Sequence, residues 1–149
     1  MDGWLSLRFT MARILGIDFG TKRTGIAATD PLKIIVSPVT TLKTSHVIDF
    51  LRNYMKDEEV ELIVCGRPGH EYKETLSALE KFIEQLKSSF PDISILFQDE
   101  HLSSKRASEL IRRAGVPKMK RRDKSLIDNV SAVLILQEYL GHLNDVHLP

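Results

Sequence analysis

Apolar residues fall in short runs along the chain, and the spacing of those runs predicts strands and helices in turn. Residues 14–19 (ILGIDF) and 24–29 (TGIAAT) are two such runs separated by Gly20-Thr21-Lys22-Arg23. That pattern predicts an antiparallel hairpin with a polar turn. A third strand is expected at about residues 33–40, after the Asp30-Pro31 break. Ser45 stands where it would cap a helix, whose apolar positions Val47, Ile48, Leu51, Tyr54 and Met55 recur at helical spacing. "LIVCG" at 62–66 is a continuous apolar run bounded by charge and Gly-Pro, the mark of a strand buried on both faces.

A second helix is expected over about 71–88, with Leu76, Leu79, Phe82, Ile83 and Leu86 on its apolar face. Pro91 ends that region, and "ISILFQDE" makes a fifth strand. Ser103 can cap a third helix that stops near Ala114-Gly115, and the loop "VPKMKRRDK" leads to a last helix from about 125 to 143. Hairpins first and helix-linked strands afterward imply an α/β fold. Its five-stranded mixed sheet is antiparallel on one side, parallel on the other, and flanked by helices.

The 149 residues suit one domain and leave no room for a second of full size. Residues 11–143 are read as that domain and 144–149 as a tail. Residues 1–10 are read as a flexible lead or an upstream start, because "MARILGIDFG" would itself make a natural beginning, and Trp4 within them is assigned no chemistry. With 28% charged and 42% hydrophobic residues the composition is that of a globular protein rather than a disordered one. One cysteine, Cys65, excludes an internal disulfide framework and fits a reducing, cytoplasmic setting, with packing as its expected role. No apolar run approaches the roughly 20 residues that span a bilayer.

Within this pattern, a carboxylate closes an almost wholly apolar strand. Asp18 shares a face with Ile14 and Gly16, where an ionised acid is costly unless it is hydrogen-bonded, paired or bound to a cation. The following Gly-Thr turn could supply the hydrogen bonds. The fifth strand ends in Asp99-Glu100, whose side chains alternate to opposite faces, so one of the two can aim at a given site, where open α/β sheets place ligands. Asp128 precedes "VSAVLIL", a stretch apolar nearly all round, and lies on a line through Ala132, Ile135 and Tyr139 that points to the core. Ser125-Leu-Ile-Asp128 also fits a capping box. If the fold gathers these strand and helix ends, Asp18, Glu100 or Asp99, and Asp128 form an oxygen-donor site for Mg²⁺ or Mn²⁺, suited to metal-assisted phosphodiester hydrolysis.

The motifs "GIDFGTKRTGIA", "LIVCGRP", "DEHLSS" and "KSLIDNVSAVLILQEYL", in that order, resemble the YqgF/RuvX family of the RNase H-like superfamily over about residues 13–140. The resemblance implies a five-stranded RNase H-like domain. Members are described as candidate nucleases that mature the 5′ end of pre-16S ribosomal RNA, or as Holliday junction resolvases. It points to Asp18, Glu100 (with Asp99 close behind) and Asp128 as the metal-binding, catalytic acids. Gly66-Arg67-Pro68-Gly69-His70 departs from the usual Leu and Asn-Met-Asp-Gly loop, and His101 stands where an arginine is usual, so substrate contacts and loop shape differ while the acids are intact.

Charge distribution adds a partner. Residues 105–124 hold nine basic residues against Glu109 and Asp123 in a chain of net charge +1, so Lys120, Arg121, Arg122 and Lys124 form a basic stretch able to attract phosphate backbones. Lys22, Arg23 and Arg67 are further nucleic-acid contacts on this reading, and His70 and His101 are weaker candidates for proton shuttling. The expected activity is thus a metal-dependent nuclease for pre-16S rRNA, with a branched-DNA resolvase and a noncatalytic RNA-binding assembly factor as alternatives, as a monomer or a homodimer. The Asp-x-Gly-Thr motif also suits an actin-like ATP binder, but one domain cannot close over a nucleotide as two do.

Overall fold

The computed structural model describes residues 11–69, 71–99, 109, 112–113 and 124–141, with the backbone alone over 124–128. Five strands, β1 (Arg13–Asp18), β2 (Arg23–Thr29), β3 (Val36–Lys43), β4 (Val60–Arg67) and β5 (Ser94–Asp99), lie in the order β3-β2-β1-β4-β5. β1 pairs antiparallel with β2, and β2 with β3, whereas β4 runs parallel to both β1 and β5. This is the mixed five-stranded sheet that the sequence predicts. Among the described residues three helices lie with it over their full length: α1 (Val47–Asp57), α2 (Lys73–Ser89) and α3 (Lys124–Tyr139). Of the helix expected after Ser103, Glu109, Arg112 and Arg113 are helical, and the remainder lies outside the described residues. No helix among the described residues is long and apolar enough to cross a membrane.

Two local expectations are corrected. β3 begins at Val36 rather than near residue 33, because Asp30 organises the segment before it. The Asp30 carboxylate accepts backbone N–H bonds from Leu32 (3.1 Å), Ile34 (2.7 Å) and Ile35 (2.7 Å), and Lys33 turns through φ 60°. These amides are thereby withdrawn from strand pairing. Ser45 does not cap α1 either: a 3₁₀ turn, Thr44–His46, precedes the helix, and His46 takes the cap position without a side-chain bond.

Each face of the sheet buries its own core. On one face Leu15, Ile17, Ile26, Ile63 and Cys65 meet Val47 and Leu51 of α1 and Leu79, Phe82, Ile83 and Leu86 of α2. On the other, Ile14, Ala27 and Val64 meet Ala132, Ile135 and Leu136 of α3. Both faces of β1 are therefore covered, which accounts for its nearly unbroken apolar run. β3, at one margin, carries Pro38 and shifts register between Ile26 and Ala27 of its partner.

Gly16 sets how closely α3 approaches. A Cβ at this position would lie 2.5 Å from Leu136 Cγ and 2.9 Å from the Ala132 carbonyl oxygen. The helix rests on bare strand backbone. Replacing Gly16 by Val should therefore lift α3 from β1 and lower stability by about 1–3 kcal/mol or more, read as a reduced urea midpoint at unchanged slope.

The loop at residues 30–35 gives a pH prediction. Three backbone N–H donors hold the Asp30 carboxyl below the usual carboxylate range, the bond from Ile35 having the largest effect. A depressed folded-state value stabilises the loop at every pH above the ordinary carboxylate range, and that support is lost as pH falls through the folded value. Amide resonances of Leu32, Ile34 and Ile35 should accordingly titrate together only in acid below about pH 4. In Asp30→Ala they should be shifted at neutral pH and show no such transition.

Candidate active site at the carboxyl edge of the sheet

β1, β4 and β5 run the same way, so their carboxyl ends share one edge of the sheet. Asp18 closes β1 there and is 9% exposed, a nearly buried acid in the middle of the sheet. By register it pairs with Gly25 of β2, which pairs in turn with Thr41 of β3. Alternation puts all three residues on the face that α3 covers.

The path of α3 brings a second acid-bearing segment to this row. Near its start, Asn129 accepts a hydrogen bond from the Thr41 hydroxyl (2.7 Å, to Oδ1), in the Asp18 row. Ala132 and Leu136 stand over Gly16, one pleat earlier in β1, and Leu140 packs in the same core as Ile14 and Val36 at the far end. The helix thus runs antiparallel to β1, with its amino end at the carboxyl edge. Asp128 directly precedes Asn129, and its backbone occupies the helical turn at the Asp18 row. The positive end of the helix dipole faces the same edge and favours negative charge there. Because α3 opens at Lys124, Ser125 falls inside its first turn rather than at the cap position.

Of the acidic pair, Asp99 is described. Asp99 ends β5, exposed, on the face shared by Ile95, Phe97, Cys65 and Arg67, opposite to Asp18. Glu100 and the side chain of Asp128 lie outside the described residues, and among the described residues no group of three His, Cys, Asp or Glu side chains is close enough to hold a metal. Cys65 is fully buried, and burial pushes its thiol up to about 12, which leaves it an inert packing group.

Lys22 lies exposed in the turn after Asp18, and Arg23 opens β2, half-buried. This turn is held firmly. Thr44 Oγ1 donates to the Gly20 carbonyl, lies 2.8 Å from Thr24 Oγ1, and the Thr44 amide donates to Lys22 O (3.0 Å). At Gly20 a Cβ would lie 2.3 Å from the Arg23 carbonyl oxygen, so glycine is required for the tight return. Arg67 ends β4 with its guanidinium over the Phe97 ring, 4.6 Å from the centroid. Lys120, Arg121, Arg122, His70 and His101, together with the side chain of Lys124, lie outside the described residues.

Sequence reasoning missed Thr41, Thr44 and Asn129, whose hydroxyls and amide act across the fold, the Thr41–Asn129 bond over 88 positions. No local pattern signals such a pair. The exposed Phe97 was hidden inside a strand motif, although its position two residues before Asp99 was a usable clue.

Comparison with known proteins agrees with this architecture. A relative from Porphyromonas gingivalis, named as a candidate pre-16S rRNA nuclease, is 50% identical over 135 residues, covering 89% of this chain and 98% of its own. Thermus thermophilus RuvC, solved in complex with a Holliday junction substrate, superposes with a TM-score of 0.52 at 13% identity, over 87% of this chain and 96% of that one. The fowlpox virus resolvase, solved with Holliday junction DNA, gives 0.54 at 13% identity, over 88% and 98%. At such identity these two likenesses speak to the fold, which is RNase H-like. The sequence profile described as "RuvX: Holliday junction resolvase" matches residues 12–142, and the chain belongs to the RuvX family.

Proposed function

We propose that this protein is a nuclease that hydrolyses nucleic-acid phosphodiesters with the help of Mg²⁺ or Mn²⁺, acting on the 5′ region of pre-16S rRNA. The observation that carries the reading is the nearly buried Asp18 at the carboxyl end of the central strand, in the row reached by the helical turn of Asp128. An acid at this edge is placed to serve as an oxygen ligand to a cation. Asp18, Asp128 and Glu100 are all hard oxygen donors, and the adjacent Cys65 belongs to the other face, so the donor chemistry suits a hard divalent cation rather than zinc. Glu100 is preferred to Asp99 because Asp99 stands on the face away from Asp18.

When bound, a divalent cation supplies water activation and neutralises charge at the phosphate. The chain's own residues do the rest. Asp18 is held immobile by the packed sheet, while Lys22 and Arg23, on a turn pinned by Thr44, attract and orient flanking phosphates. The basic stretch at residues 118–124 adds affinity that depends on salt and not on sequence. Asn129, bonded to Thr41, fixes the start of α3 relative to β1 and so positions Asp128.

A Holliday junction resolvase is the second reading, favoured by the family description and by the shared fold of two resolvases bound to junction DNA. Precursor ribosomal RNA and a four-way junction, offered side by side, separate the two. The RNA should be cut with Mg²⁺ or Mn²⁺ present, and Asp18→Asn should fall to background while its thermal transition is retained. Cleavage by this variant at the wild-type rate would remove Asp18 from the mechanism; preferential cutting of the junction would transfer the assignment to DNA. Thr41→Val should weaken calorimetric Mn²⁺ binding by about 10–100-fold, as expected when a group that orients a ligand is lost.

A further inference from the structure

The residues at the carboxyl edge that face away from Asp18 form a cluster of their own. Phe97 is 40% exposed, unusual for the only aromatic side chain of β5, and the Arg67 guanidinium lies over its ring. Arg67 is itself exposed, and among the described residues it has no hydrogen-bond or ion-pair partner. Asp99 is the register partner of Arg67 on the neighbouring strand and is exposed on the same face. A planar cation, its backing ring and an exposed carboxylate thus stand side by side on neighbouring strands.

We propose that Arg67, lying over Phe97 and flanked by Asp99, is a subsite for one unpaired nucleobase of a single-stranded nucleic acid passing over the sheet edge. The proposal rests on the nuclease reading, which brings a strand to this edge. Held over Phe97 and exposed, the guanidinium offers a plane to the strand, and unstacked bases settle on such planes as they do on aromatic rings. Asp99 decides between base and phosphate. An ionised carboxylate accepts hydrogen bonds only and repels a phosphate, whereas every base carries amino or imino donors on its pairing edge. A duplex keeps those edges occupied and its bases stacked, so the subsite selects a single-stranded flank.

Fluorescence anisotropy with the full chain in EDTA, where no metal-dependent cutting occurs, tests this. The probes are a short single-stranded RNA, a backbone-matched oligomer lacking bases, and a duplex. Wild type should favour the base-containing strand. Arg67→Lys, which keeps the charge and loses the plane, and Phe97→Leu should each bind that strand about tenfold more weakly and lose the preference over the abasic oligomer. Phe97→Tyr should retain both. Equal weakening on the base-containing and abasic strands would mean a phosphate contact and overturn the proposal, as would unchanged binding by Arg67→Lys or no preference in wild type. Metal-dependent cleavage by the wild type reports separately on the nuclease reading, so the two can fail independently.

Discussion

The absence of a side chain at Gly16 is the constraint on which the arrangement of acids depends. It lets α3 settle directly on β1, with the Ala132 carbonyl and Leu136 in the space a Cβ would take. That contact sets the height of the helix over the sheet, and the Thr41–Asn129 bond sets its position along the strand. One governs depth and the other register. Between them they bring the turn of Asp128 to the row of Asp18. A nearly buried carboxylate in the centre of a sheet is tolerable only in such a defined setting, because a loosely placed helix would leave its charge to be desolvated without compensation.

Much of the architecture was legible in the sequence because it rests on local pattern. The continuous apolar runs of β1 and β2 reflect burial of both faces, the polar residues between them mark the turn, and the helical spacing of Leu79, Phe82, Ile83 and Leu86 reflects burial of one face. β3 was displaced by three residues because a side chain, Asp30, competes with the strand ladder for backbone donors. Ser45 was misread as a cap because Thr44, beside it, is drawn to Gly20 and Thr24 in another element. Propensity describes what a residue does alone, and these residues are committed to distant partners.

The site was legible to a different depth. Asp18 stood out because a charge at the end of an apolar strand is an energetic anomaly visible in one dimension. Alternation allowed only one of Asp99 and Glu100 to aim at the site, and the register puts Asp99 with Arg67 and Phe97 on the face away from Asp18. The supporting groups were not legible. Thr41 and Asn129 are ordinary polar residues whose significance lies in being 88 positions apart and 2.7 Å from one another.

The margin formed by β3 bears on how copies of the molecule can meet. Proline lacks the N–H that a neighbouring strand would need, and the bulge opposite Ile26 and Ala27 twists the adjoining stretch out of line. An incoming chain therefore finds an interrupted ladder along β3. Self-association by extending the sheet across this margin is disfavoured by the backbone itself, and a symmetrical pairing of two molecules, such as a two-strand cut would require, falls more readily to another surface.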